Sequence, residues 1–216
     1  MRDVRLQFSK QGLLRFVSHL DLYRAVMRAL RRTDIPFWYT EGFNPHPYVT
    51  FALPLPLGAE SENDIMDIRV TDSIKNAVIA EKLNVALPEG LKVTDCYNPE
   101  DKYKQISEAE YLFFFESDTD AVRLSEVMDK GELLCEKRGK THGRKTVKTV
   151  NLLEGNPAYS LSESDGQLVM KIPLTAGSEK NDNPVLLADA LNKTDEHIRC
   201  SLVRRTRLFT PNGVFH

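Results

Sequence analysis

Residues Val4 to Ser9 (VRLQFS) alternate strictly, with Val4, Leu6 and Phe8 on one side, and read as a half-buried β-strand. The period then changes from 2 to 3.6. Leu20, Tyr23, Met27 and Leu30 recur at helical spacing up to about Arg32, and Ser18 followed by Asp21 is a helix-start capping signal. Asp34-Ile35-Pro36 ends that helix. Pro36 to Pro47, rich in Pro, Gly, Asn and aromatics, reads as a structured loop, and Val49 to Leu55 as a strand. Asp64 to Val70 alternates again, Ser73 to Leu87 reads as a helix with Ile74, Val78 and Leu83 inward, and Leu91 to Tyr97 as a strand. The order is β-α-β-β-α-β.

The same order recurs downstream. Tyr111 to Glu116 (YLFFFE) is a strand, Ala121 to Met128 a short helix, and Leu133 to Lys137 and Thr146 to Leu153 are strands around a basic turn. Tyr159 to Glu163 and Gln167 to Leu174 turn at Asp165-Gly166, Pro184 to Asn192 reads as a helix, and Ile198 to Phe209 closes with a strand. The expected fold class is α+β: tandem ferredoxin-like (βαββαβ) units with antiparallel sheets, the second with an extra hairpin. The polar stretch 98–108 places the expected boundary, with an N-terminal unit at 1–105 and a C-terminal unit at 106–216 that carries the basic hairpin.

Composition excludes more than it identifies. A chain of 216 residues with 41% hydrophobic and 28% charged residues is an ordinary globular protein, not a collagen-like, disordered or disulfide-stapled one. No apolar run approaches the ~18 residues of a membrane span, and MRDVRLQFSKQG carries charge where a signal peptide needs an apolar stretch, so a cytoplasmic location and no membrane partner are expected. Cys96, Cys135 and Cys200 lie far apart with no CxxC pair; they read as buried apolar thiols, and no cofactor or metal is expected. The net charge of −2 hides a segregation along the chain. Residues 1–50 hold eight basic and four acidic side chains, 51–136 hold eight and nineteen, and 137–216 hold thirteen and eight. Whether the two basic ends meet in space decides if they form one cationic face.

The first helix carries the most specific chemistry. Arg24, Arg28, Arg31 and Arg32 follow i, i+4, i+7, i+8 spacing and form a cationic stripe, of a residue type suited to bidentate phosphate or carboxylate recognition. Ser18, His19 and Asp21 are too close together to form a catalytic relay, and capping accounts for Ser18 and Asp21. His19, beside the stripe, and His46 are the candidates for a general acid or base. In the loop, Gly42 permits positive φ while Pro45 and Pro47 stiffen the backbone around His46, so Tyr39, Phe43, Asn44 and His46 are held ready for stacking or hydrogen bonding. A second basic run, residues 137–148, contributes Lys140, Arg144 and Lys145 as phosphate contacts on a glycine-containing turn. The final strand adds Arg199, Arg204, Arg205 and Arg207.

Lys10-Gln11-Gly12, the SHLD run Ser18 to Asp21, the GFNPHP run Gly42 to Pro47, and Phe51 to Gly58 (FALPLPLG) together resemble the radical-SAM-linked protein family, a bacterial family of unknown function. The resemblance implies a partner radical SAM protein of the cobalamin-binding type. It supplies no reaction, and the chain lacks the clustered cysteines of a radical SAM domain. The expected function is an accessory RNA-binding module that presents an RNA to that partner. A protein-protein adaptor docking an acidic surface and a metal-independent ribonuclease are the alternatives.

Overall fold

The alternating N-terminal segment forms β1 (Arg2–Lys10), and the capped amphipathic run forms α1 (His19–Arg32). The computed structural model describes residues 1–71, 74–141, 144–155, 157–177 and 180–216, with side chains described outside 137–146. The first half continues with β2 (Val49–Phe51), β3 (Ala59–Val70), α2 (Asn76–Ala86) and β4 (Leu91–Tyr97). The second half holds β5 (Glu108–Phe115), α3 (Ala121–Asp129), β6 (Leu134–Thr141), β7 (Arg144–Asn151), β8 (Ser160–Ser164), β9 (Gln167–Thr175), α4 (Pro184–Thr194), β10 (Cys200–Thr210) and the short β11 (Gly213–Val214).

The architecture is mixed α/β, with four α-helices and a mostly antiparallel nine-stranded sheet in the order β4-β1-β3-β10-β5-β9-β8. In the first half β1 lies between β4 and β3, with β2 beyond β3; in the second half β5 lies between β10 and β9, with β8 beyond β9. The halves join where β3 meets β10 in parallel, with Val203 opposite Ala59, Arg204 opposite Glu60 and Arg205 opposite Ser61. At twelve residues β3 is long enough for one edge to serve two neighbours, β10 near Ala59 to Ser61 and β2 near Met66 to Ile68, while β1 pairs along the other. The basic segment forms a separate two-stranded ribbon, β6–β7.

Two apolar clusters support the sheet. Val4, Leu6, Phe8, Met66, Ile68 and Val70 pack against Leu22, Val26 and Leu30 of α1 and Ile79 and Leu83 of α2. Tyr111, Phe113, Phe115, Met170 and Ile172 pack against Leu124 of α3 and Leu187 and Leu191 of α4, and this cluster also takes Leu53 and Ile65 from the first half. Ile65 lies on the opposite face of β3 from Met66, so one strand feeds both cores. In α2 the inward position is Ile79 rather than Val78, which is only half-buried. The expected start of that helix, Ser73, lies outside the described residues.

Charges are buried where the halves meet. Arg205 Nη2 donates to Asp64 and to the Leu53 carbonyl (2.8 Å), and both ionic side chains are buried. Next to them Arg204 binds Glu60 (2.9 Å) and Glu62 (3.2 Å). Two terminal-strand arginines are thus spent on the acidic β3 and do not add to a cationic surface. Arg5 is a second clasp: it forks onto Asp67 (2.8 and 2.9 Å), donates to the Asp101 and His216 carbonyls (3.0 and 2.6 Å), and lies 4.5 Å from the Phe215 ring centroid. The polar stretch 98–108 is therefore a packed connection, tied down further by the Tyr103 hydroxyl donating to the Thr50 carbonyl (3.1 Å).

Removing one member of a buried pair leaves the other uncompensated, at a cost of about 3–5 kcal/mol. Asp64→Asn is expected to lose about that much in urea denaturation, whereas the half-exposed Asp3, paired with Arg69, should lose about 1 kcal/mol or less as Asp3→Asn.

Candidate functional site

Helix α1 begins as its sequence requires. The Ser18 hydroxyl accepts from the Asp21 amide (3.2 Å) and donates to the Asp21 carboxylate (2.7 Å). That hydroxyl and Arg24 hold Asp21 below the usual carboxylate range. Leu22, Val26, Met27, Ala29 and Leu30 form the buried face, and Arg24, Arg28 and Arg31 lie opposite, exposed. Two members of the expected pattern depart. Leu20 points outward, because at 100° per residue it falls in the arginine sector, not the apolar one. Arg32 leaves the stripe, its guanidinium donating to the Ala86 carbonyl at the C-terminal end of α2.

The loop after α1 is folded back on itself. The Thr40 amide donates to the His46 carbonyl (2.8 Å), and Tyr39 and Pro47 form an isolated bridge. Its base is pinned by Arg69, which lies between the Trp38 and Tyr48 rings (5.2 and 4.6 Å to the centroids) and forks onto Asp3. Gly42 turns the tip at φ +122°, a conformation other residues rarely adopt. Phe43 and Asn44 are exposed on that tip, Tyr39 is partly exposed, and Pro47 is buried. The aromatic plug of this loop is Trp38 with Tyr48, and Phe43 is left free of it.

The loop returns His46 to α1. Tyr23, Arg24, Met27, Arg28, Arg31 and His46 line an open groove of about 340 Å³. His46 Nδ1 lies 3.0 Å from the Pro47 carbonyl, which can only accept, so Nδ1 carries the proton and Nε2 is the free nitrogen. Three guanidiniums, one imidazole and the edge of a tyrosine thus share one concave surface, an arrangement suited to phosphate oxygens.

His19 does not line that groove. Its ring meets Phe51 edge-on at 5.1 Å, and Phe51 in turn meets Phe8 at 5.9 Å. Burial lowers the His19 pKa and the nearby Lys10 adds to this, with Asp64 opposing. Lys10 is itself buried, its ammonium donating to the Val17 carbonyl (3.4 Å), and burial lowers its pKa as well. Sequence reasoning missed Lys10, Asp64 and Arg205 as a group, because each sits in a different strand and only the sheet order brings them together, although Lys10 and Asp64 share the parity of the apolar positions in their strands. His19 and His46, the two acid-base candidates, therefore stand in different environments. The Ser18 hydroxyl is engaged with Asp21, so no Ser-His-Asp relay forms.

Of the basic run, residues 137–141 and 144–148 lie on paired strands, with Gly139 inside β6, so the strands reach further than expected; residues 142 and 143 between them lie outside the described residues. In register, Lys140 faces Lys145 and Thr141 faces Arg144; the side chains of all three candidates, Lys140, Arg144 and Lys145, lie outside the described residues. Asn151 anchors the ribbon's base, its amide oxygen accepting from the Leu133 and Leu153 amides (2.9 and 3.1 Å) and its nitrogen donating to the Gly131 carbonyl (2.9 Å). A cavity of about 760 Å³ between β6 and α4 contains Cys135, Glu136, Asp189 and Lys193, none of them a sequence candidate. The three cysteines are free and half-buried, less enclosed than expected, and burial pushes the Cys96 and Cys200 thiols up to about 12, which leaves them unreactive at neutral pH. Among the described residues no three His, Cys, Asp or Glu side chains converge as a metal site requires, and no helix is long and apolar enough to cross a membrane.

A groove of arginines and one histidine on a mixed α/β fold defines no enzyme class, and the comparisons place the chain by family. Residues 3–184 match the model of a family described as uncharacterized protein conserved in bacteria (DUF2344), and the chain belongs to that family. No curated protein matches the sequence. Among solved structures, a chain in the crystal structure of a Cbf5-Nop10-Gar1 complex is similar over 96% of this chain and 50% of that chain, with a TM-score of 0.47 and 10% identity. The chain thus spans about half the length of that relative.

The geometry around His19 sets a titration order. A histidine whose folded pKa is depressed loses folding stability as pH falls through its ordinary range, since the unfolded chain then binds the proton more readily. Ring-proton NMR is expected to place His19 below the usual histidine value, and Lys10→Met should move it upward by removing a neighbouring positive charge. An unchanged His19 titration in that variant would show that Lys10 does not act on it.

Proposed function

We propose that this protein is an accessory RNA-binding module, built from two ferredoxin-like units (1–105 and 106–216), that presents an RNA to a partner radical SAM protein in the bacterial cytoplasm. The fold reading is supported by the order of strands, in which β1 lies between β4 and β3 and β5 between β10 and β9, with both helices of a half packed in one apolar cluster. The partner reading rests on the SHLD and GFNPHP runs and the family they resemble.

The observation that carries the RNA reading is the groove in which Arg24, Arg28, Arg31 and His46 meet, with Phe43 exposed on the stiff loop tip three residues before His46. Arginines in a row match successive phosphates, and an exposed ring can stack an unpaired base, the combination by which single-stranded RNA is held. Phosphate contacts supply affinity and are read in its salt dependence. Lys140, Arg144 and Lys145 on the β6–β7 ribbon would extend the phosphate path.

Fluorescence anisotropy with a labelled single-stranded RNA and with bulk tRNA, across a salt series, tests this. Changing Arg24, Arg28 and Arg31 together to Glu should lower the log-log salt slope by about 2, at ~0.7 per lost phosphate contact. Arg32→Gln, which removes a helix-capping contact, should leave the slope unchanged, and Phe43→Ala should weaken single-strand binding by about 1–3 kcal/mol. No salt-dependent binding by the unaltered chain, or an equal slope in the triple variant, overturns the reading.

A further inference from the structure

The start of α1 carries a surface that phosphate binding does not explain. A 3₁₀ turn, Gly12–Phe16, precedes α1, and side chains three apart in such a turn eclipse, so Leu13 and Phe16 share one face. The Gly58 amide donates to the Arg15 carbonyl (2.8 Å) and brings Leu57 alongside. Leu20 projects from the first turn of α1. These four large apolar side chains are 85%, 60%, 60% and 56% exposed, in the order Leu13, Phe16, Leu57, Leu20. Contiguous exposed apolar surface of this kind marks interaction sites far more often than scattered single residues do.

Its border is basic. The Arg15 guanidinium lies 4.7 Å from the Phe16 ring centroid, and Arg24 and Arg28 follow Leu20 along the same sector of α1; Asp21 stands beside Arg24, and the buried Glu60 carboxylate accepts from the Gly12 amide (2.8 Å) at the start of the 3₁₀ turn. We propose that this patch is a docking surface for a partner protein, whose contacting segment presents apolar side chains to Leu13, Phe16, Leu20 and Leu57 and carboxylates to Arg15, Arg24 and Arg28.

RNA is a poor occupant. Leucine offers neither a π-face nor a hydrogen bond, and Arg15 already covers one face of Phe16. The positive border is arginine, which forks onto carboxylates, and an apolar centre with a charged rim is the anatomy of a protein interface. The patch shares Arg24 and Arg28 with the lining of the Arg24–His46 groove, so the docking proposal is separated from the RNA reading at Leu13, Phe16, Leu20 and Leu57, which the groove does not include.

The test uses the full chain carrying Leu57→p-benzoylphenylalanine in growing bacterial cells. Ultraviolet light should couple it to one protein, at a segment containing both apolar and acidic residues, and that protein is then purified. In calorimetry the purified partner should bind the unaltered chain, and Phe16→Ser with Leu20→Ser should weaken binding at least about 30-fold, the size of an interface hot spot. The same double variant should keep its RNA affinity within about 2-fold and its thermal melting unchanged, since both positions are exposed. Adducts confined to nucleic acid, to lipid or to a second copy of this chain, the absence of any adduct, or equal partner affinity in the double variant each overturn the proposal.

Discussion

The Arg205–Asp64 ion pair is the constraint around which the two halves are arranged. Taking both charges out of water costs several kcal/mol per ion, and the pair recovers that only if each stays beside the other. The pair therefore fixes where β10 must run along β3, since a slip of one residue would move a guanidinium to the wrong face. Three of the five Arg205 N–H donors, one on Nε and two on Nη1, meet no acceptor among the described residues, so the Asp64 carboxylate and the Leu53 carbonyl carry the interaction through Nη2. The parallel β3–β10 contact is short, three opposed residue pairs, and its specificity comes from these charges more than from its ladder.

That constraint shapes the functional surface by subtraction. Charge segregation along the chain left open whether the basic ends meet as one cationic face, and Arg204 and Arg205 from the basic C-terminal segment are neutralised by Glu60, Glu62 and Asp64 from the acidic one. Sequence-separated charges of opposite sign act here as adhesive between halves. The cations left exposed on the first half are those whose elements have no acidic neighbour, above all Arg28 and Arg31 on α1. They are concentrated in one groove because Arg69, Trp38 and Tyr48 fold the following loop back and bring His46 to them.

Periodicity carried most of the fold, since nearly every expected helix and strand forms within a few residues of its sequence signal. Leu20 was grouped with the apolar stripe on residue type, yet at 100° per residue it shares the sector of Arg24, Arg28 and Arg31, so its outward position was legible in the spacing itself. Arg32 matched the stripe by sequence, yet the open carbonyl at the end of α2 claims it. Arg5 falls on the side of β1 that alternation marks as solvent-facing, and the Asp101 and His216 carbonyls and the Phe215 ring cover it; Lys10 and Asp64 share the parity of the apolar positions in their strands, and only tertiary structure supplies the partners that hold those charges there. The candidate groove was half legible: Arg24, Arg28, Arg31 and His46 were each visible, but their meeting depends on Arg69, whose stacking partners lie twenty and thirty residues away.

Position along α1 links the two surfaces physically. Eleven residues separate Leu20 from Arg31, about 16 Å at 1.5 Å per residue, so the apolar patch and the far end of the arginine row lie on one rigid rod. Leu20, Arg24, Arg28 and Arg31 share a sector of that helix, and a protein seated over Leu20 therefore stands at the mouth of the groove and not behind it. A polyanion tracking the arginines would run toward such a partner or away from it, and the helix would fix the distance between them without a flexible linker. His19, at the N-terminus of α1, is held below the usual histidine range by burial and by Lys10, with Asp64 opposing. The arginine sector of the helix presents guanidiniums, whose planar fork suits phosphate and carboxylate alike.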